Sequence, residues 1–188
     1  MRHRYDTRGI ILARSPLGEA SAVVTVLSPE LGLVRARAQG LRRSGAKLSA
    51  ALATFSESSL ILVRGKEGWR VAGAVLDRNW LKALPTEARP FAARIAGLLV
   101  RLAPSDAKDE ALFPAFRGYL ETLGACAASL YEAAEILAAL RALVILGFDN
   151  GADLPPLSDL SKRHLERIQS ERASYVARVN RGIAASEL

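Results

Sequence analysis

Short apolar runs between turn residues, one of them strictly alternating with polar positions, mark the early part of the chain, and a three-to-four spacing takes over beyond Pro85. Gly9 to Arg14 is an apolar, β-rich run that Pro16-Leu17-Gly18 is expected to break. Ala22 to Leu27 (AVVTVL) is a second run, closed by Ser28-Pro29-Glu30 and Gly32. From Leu33 to Gln39 the alternation is strict, with Val34, Ala36 and Ala38 on one face and Arg35, Arg37 and Gln39 on the other. Leu60 to Val63 is a fourth run, and Gly65-Lys66-Glu67-Gly68 reads as a hairpin turn leading into Trp69 to Leu76. Five strands in so few residues predict a small closed or nearly closed barrel.

In the later part, Phe91, Ile95, Leu98, Leu99 and Leu102 share one helical face. Leu112, Phe116, Leu120 and Leu123 form a second stripe, whose helix is expected to start late because of Pro114. Leu130, Ala133, Leu137, Leu140 and Val144 form a third, stopped by Gly147 as a C′ residue. Asn150 to Pro156 reads as a loop, and Ser158 as the cap of a further helix through Ile168. The last dozen residues carry no clear pattern. The fold class expected is α+β multidomain, with a five-stranded β-barrel over residues 1–80 followed by an α-helical bundle over residues 81–188.

Charge sharpens this division. The chain has 188 residues and a formal net charge of +7. Residues 1–80 hold thirteen Lys or Arg against six Asp or Glu, which is the whole excess, and residues 81–188 are neutral. A basic barrel joined to a neutral bundle points to one surface for a polyanion and another for a different partner. With half of its residues hydrophobic, the chain is not expected to be disordered. Cys126 is the sole cysteine, which excludes an intrachain disulfide and a Cys-rich zinc site and fits a reducing, cytoplasmic setting. The basic N-terminus lacks a signal-length apolar run, and Arg101 interrupts Ala96 to Ala103, so no membrane span is expected.

Enzymatic chemistry finds little support. Nucleophilic triads need an imidazole beside the nucleophile, and the chain offers only His3, in an N-terminus expected to be mobile, and His164, on the polar stretch Ser161-Lys162-Arg163-His164. Cys126 sits among alanines and reads as a small buried hydrophobe. No P-loop is present, and Gly65 to Gly68 is ordinary hairpin chemistry. Asp106, Asp109 and Glu110 cluster without a histidine or a second acidic strand. No catalytic residue, metal site or cofactor is expected.

The informative segment is Arg35 to Lys47, RARAQGLRRSGAK. The pleat puts Arg35 and Arg37 on one strand face about 7 Å apart, near the spacing of successive phosphates on a stretched strand. A loop containing Gly40 then bears Arg42, Arg43 and Lys47. Arginine suits phosphate because its fork donates two hydrogen bonds at once. Tyr5, Phe55, Trp69 and Trp80 are the aromatics of this half, with Phe55 and Trp69 assigned to core packing. Binding is therefore expected to rest on phosphates, with little sequence preference. Roughly four to six contacts give a log K against log salt slope of about −3 to −5.

These residues resemble the RecO recombination-mediator family. The likeness runs in order through Gly9-Ile10-Ile11-Leu12, Pro16-Leu17-Gly18-Glu19-Ala20, Val23 to Leu27 and Gly32-Leu33-Val34. It continues through Ala38-Gln39-Gly40-Leu41-Arg42-Arg43, Leu48 to Leu52, Phe55, Ala111-Leu112-Phe113 and Leu143 to Phe148. The resemblance implies an N-terminal OB-fold and a helical domain, together with ATP-independent binding of single- and double-stranded DNA and annealing of complementary strands. It also implies a role with RecR in loading RecA onto DNA coated by single-strand-binding protein, in the bacterial cytoplasm at the nucleoid. The DNA contacts it implies are Arg35, Arg37, Arg42, Arg43 and Lys47, with Arg14, and its helical domain receives the C-terminal tail of single-strand-binding protein. Many members carry a four-cysteine zinc module after the Leu-Gly-Phe/Tyr segment. No cysteine follows Cys126 here, so the chain reads as a short, zinc-less member. Another OB-type module that binds RNA, and a protein adaptor whose basic half meets an acidic protein, are the competing readings.

Overall fold

Period-two alternation becomes a closed barrel in the first of two units. The computed structural model describes residues 3–17, 21–39, 45–104, 110–155 and 161–186. Met1–Ala83 with Ala103–Phe113 make one unit, and Leu84–Leu102 with Pro114–Leu188 make the other. The first holds β1 (His3–Leu17), β2 (Ser21–Ser28), β3 (Gly32–Ala38), α1 (Gly45–Ala51), β4 (Ser56–Gly65), β5 (Gly68–Asn79) and α2 (Trp80–Ala83). The strands close in the order β1-β2-β3-β5-β4, antiparallel throughout except for a parallel β3–β5 contact. With a helix between β3 and β4, this is the OB-fold.

β1 serves two neighbours because it is long enough to turn a corner. His3 to Ile10 pair with β4, Ile10 to Leu17 pair with β2, and the register shifts between Ile11 and Ala13. Ile11, Val24, Val26, Val34, Ala36, Leu60 and Leu62 fill the interior and are essentially inaccessible to solvent. Phe55 holds the entry to β4 in a left-handed conformation, with φ of 63°. Its N–H donates to the Ile11 carbonyl at 2.8 Å, and its carbonyl accepts from the Trp80 N–H at 3.0 Å. A phenylalanine tolerates that backbone because both flanking peptides and its buried ring hold it there.

Three expectations for this unit are corrected. Pro16 does not end β1: it pairs with Ala22 one residue before the strand stops, where a missing N–H interrupts little of the ladder. His3 is not in a loose terminus, since it pairs with Arg64 while its side chain is exposed. Lys47 lies on α1 rather than on a loop.

The second unit is organised by α5 (Tyr131–Ile145), which packs against α3 (Arg89–Leu102), α6 (Lys162–Ser170) and α7 (Arg172–Ser186). Apolar on most of its circumference, α5 buries Ala134, Leu137, Leu140 and Leu143 completely. It ends in a Schellman motif. Gly147 takes φ of 82°, its N–H reaches the Val144 carbonyl at 3.0 Å, and the Phe148 N–H reaches the Leu143 carbonyl at 2.8 Å. Ion pairs tie the neighbours to α5: Arg94 of α3 to Glu135, and Arg172 of α7 to Glu132 at 2.6 Å. Arg178 of α7 forks onto Asp149, with Nε to Oδ2 at 2.7 Å, and also bonds the Ala152 carbonyl, fixing the loop after α5. That fork, helped by the Gly151 N–H, holds the Asp149 carboxyl below the usual carboxylate range.

Here too the chain departs from expectation. α4 (Leu112–Ala125) begins with its stripe despite Pro114, because a proline in the first turn lacks only an N–H that has no intrahelical partner. Ser158 lies outside the described residues; α6 begins after Ser161 and runs past Ile168 to Ser170. The unpatterned C-terminal stretch is α7, whose buried face offers Tyr175 and Gly182 to the bundle. Cys126 is half-buried rather than enclosed, and burial pushes its thiol pKa up. Among the described residues, no helix is long and apolar enough to cross a membrane.

Candidate nucleic-acid interface

The pleat of β3 sets the interface. Val34, Ala36 and Ala38 turn inward and are buried, while Arg35, Arg37 and Gln39 stand exposed on the outer surface, as the alternation predicts. On the β2 side, Arg35 stands opposite Thr25 and Arg37 opposite Val23, so β2 brings no charge to this face. On the other side, the parallel contact with β5 puts Arg70 directly beside Arg37. Neighbouring strands run about 4.8 Å apart. Two outward arginines therefore flank one another at the closure of the barrel.

Past Arg70 lies the β4–β5 hairpin, where Gly65 pairs with Gly68 around Lys66 and Glu67. The hairpin and the end of β3 enclose a cleft of about 540 Å³ whose lining includes Arg37, Gln39, Lys66, Glu67, Trp69 and Arg70. Glu67 is the sole carboxylate of that lining among the described residues. It approaches Arg37 at 3.8 Å, and with the Glu67 side chain 90% exposed, water screens the pair and little binding energy resides in it. Trp69 forms the inner wall. Only 8% exposed, it meets Tyr5 edge-on at a centroid distance of 5.1 Å, and the Arg64 guanidinium lies 5.3 Å from its ring. Trp69 and Phe55 are thus core aromatics, and β3 presents guanidiniums rather than rings.

The other expected contacts are placed differently. Arg14 pairs with Val24, which pairs with Ala36, so it takes the inward face of the sheet rather than that of Arg35 and Arg37. Exposed at the barrel's end, its Nη1 reaches Ser49 Oγ of α1 at 3.5 Å. Lys47 is exposed on the same helix. Arg42 and Arg43 lie outside the described residues. Lys66 and Arg70 were not expected at the interface. Arg70 follows an apolar residue in an alternating run, which marks it as outward, but only the long-range β3–β5 pairing brings it to Arg37. Among the described residues, no group of three or more His, Cys, Asp or Glu is disposed to hold a metal.

Comparison with known proteins accords with this geometry. Residues 1–73 match the family model for the N-terminal domain of recombination protein O. The DNA repair protein RecO of Dehalococcoides mccartyi (strain ATCC BAA-2266 / KCTC 15142 / 195) is 30% identical over 122 residues, covering 64% of this chain and 48% of that protein. The DNA repair protein RecO of Synechococcus sp. (strain JA-2-3B'a(2-13)) is 32% identical over 129 residues, 63% of this chain and 45% of its own. That of Acaryochloris marina is 40% identical over 74 residues, 39% of this chain and 25% of its own. The chain spans about half the length of the first two relatives that it matches. The matched N-terminal residues thus fold as an OB barrel, and the likeness to RecO proteins extends past that barrel.

Proposed function

We propose that this chain is a non-catalytic mediator of DNA repair by homologous recombination. It binds single- and double-stranded DNA through phosphates without sequence preference and anneals complementary strands. With RecR, it helps load RecA on DNA coated by single-strand-binding protein. The barrel, residues 1–80, is the DNA-binding domain, and the helical domain, residues 81–188, meets protein partners. The observation that carries this reading is the set of outward guanidiniums of Arg35, Arg37 and Arg70 on a barrel whose strand 2–3 face and β4–β5 loop are the usual nucleic-acid surface of the fold. Lys66 extends that face, Arg14 and Lys47 contact the same strand farther along at α1, and Arg42 and Arg43 are further proposed contacts.

A groove of about 950 Å³ in the helical unit supports the protein-partner role. Its apolar wall includes Pro114, Ala125, Leu130 and Leu165, and Lys162 stands at its edge. Such a groove suits the acidic, apolar tail of single-strand-binding protein.

Two measurements test the proposal. A mobility-shift titration of single-stranded DNA at two ionic strengths should show micromolar or tighter binding that weakens steeply with salt, and a marked preference for matched RNA would overturn it. Annealing of complementary oligonucleotides without nucleotide or metal should exceed the spontaneous rate. No stimulation would favour an adaptor role instead.

A further inference from the structure

We propose that the cleft between the end of β3 and the β4–β5 hairpin accepts one unstacked nucleotide of a single strand, its phosphate bridging Arg37 and Arg70, and so distinguishes single strands from duplex. The inference rests on the DNA-binding reading above and deepens it.

Three observations carry it. First, Arg37 and Arg70 are in register on adjacent strands, an arrangement of like charges that repels. The one acid of the cleft among the described residues, Glu67, approaches Arg37 from a largely solvated position. An anion spanning both forks satisfies two sets of donors and removes the repulsion, which a point carboxylate on one side cannot do. Second, the cleft's volume of about 540 Å³ falls in the range of small-molecule sites. Third, its walls suit a base. Val63 and the edge of Trp69 provide apolar surface, the exposed Gln39 amide offers a donor and an acceptor, and Gly65 and Gly68 add no side chain to the hairpin wall beside Lys66 and Glu67. A paired and stacked base cannot enter such a recess. Duplex DNA is left to the open face around Arg35, which sees only phosphates.

Gly65→Phe tests this without removing a charge. Gly65 lines the cleft, a Cβ added there meets nothing within 4 Å, and its φ lies outside the left-handed region, so the backbone accepts a side chain at the cleft wall. With the full chain, affinity for a fifteen-residue oligothymidylate should fall about tenfold, while affinity for a duplex of equal length stays within about twofold. The oligothymidylate should also alter tryptophan fluorescence in the parent. Trp69 is the responding residue, since Trp80 is 1% exposed and its Nε1–H donates to Glu57 at 3.0 Å. Equal binding of oligothymidylate by parent and variant, or an equal loss on both DNAs, would overturn the inference. Should Gly65→Phe fail to fold, Gln39→Ala on the exposed strand end should lower oligothymidylate affinity about threefold and leave the duplex alone, and a parallel loss on both overturns it equally. A parent chain that binds neither DNA at low salt refutes the DNA-binding reading itself. Inorganic phosphate and thymidine monophosphate, added as competitors, separate a bare anion site from a nucleotide site: competition by phosphate at the same concentration as the monophosphate overturns the base-holding role.

Discussion

Removing Arg35 and Arg37 together probes the charge reading most directly. Both side chains are exposed on β3, and the buried positions 34, 36 and 38 that anchor the strand are untouched by the change. Arg35→Ala/Arg37→Ala should therefore keep its melting temperature, with stability within about 0.5 kcal/mol of the parent. Four cations, Arg35, Arg37, Lys66 and Arg70, share the face on the described residues. At about 0.7 released counterions per contact on a single strand, they set a slope of log K on log salt near −3. Raising salt from 50 to 200 mM then weakens parent binding about 50-fold. With two contacts gone, the slope should be shallower by about 1.4 and the same salt step should weaken binding only about sevenfold. Fluorescence anisotropy of a labelled oligonucleotide over five or six salt concentrations reads both slopes. Any contact from Arg14, Arg42, Arg43 or Lys47 steepens parent and variant alike, so the difference is the robust quantity. An unchanged slope would refute the placement of phosphates on β3, and a parent slope shallower than about −1 would refute charge-driven binding altogether.

Other outcomes follow from packing and titration. In Gly9→Ala the new methyl would overlap Val26 and press against the Leu27 carbonyl oxygen at 3.2 Å, so the barrel should lose about 1–3 kcal/mol, seen as a lowered melting temperature. Gly147→Ala forces a left-handed alanine at the end of α5 and should destabilise the helical unit by about 1–2 kcal/mol in urea, leaving DNA affinity unchanged. Arg178→Ala should lower urea stability by about 2 kcal/mol at neutral pH. The Asp149 carboxyl is depressed in the folded state, so this contribution is complete above the ordinary carboxylate value near 4 and is lost as pH falls below it. Parent and variant should therefore converge in acid, and a gap that stays constant down to about pH 2.5 would disprove the linkage.

Most of the barrel is legible in the chain because period-two patterning is local. Positions 33 to 39 announce both the strand and its outward cations, and the Gly65–Gly68 turn announces the hairpin. What the pattern could not report is which strands meet. Arg70 looks unremarkable until the parallel contact of β3 with β5 brings it to Arg37, a pairing made across more than thirty residues of chain. Arg14 shows the opposite: counted as a nearby cation of the same stretch, it takes the inward face at the barrel's end once the irregularity between Ile11 and Ala13 fixes the register of β1. α7 escaped notice because a helix burying a tyrosine and a glycine leaves almost no apolar stripe to read. Gly182 takes that place since an added Cβ would lie 2.7 Å from Leu143. Pro114 shows how one local rule misleads when its position within the first turn is unknown.

The barrel closes through only two rungs among the described residues, Ala36 with Trp69 and Arg37 with Arg70. This seam is the shortest ladder of the sheet, and one of its rungs carries the two guanidiniums that repel each other. A polyanion draped over that rung acts as a clasp, fastening the weakest join of the cylinder while it is held. Amide hydrogens along the seam should accordingly exchange more slowly in the loaded protein, so that occupancy and closure of the cylinder rise and fall together.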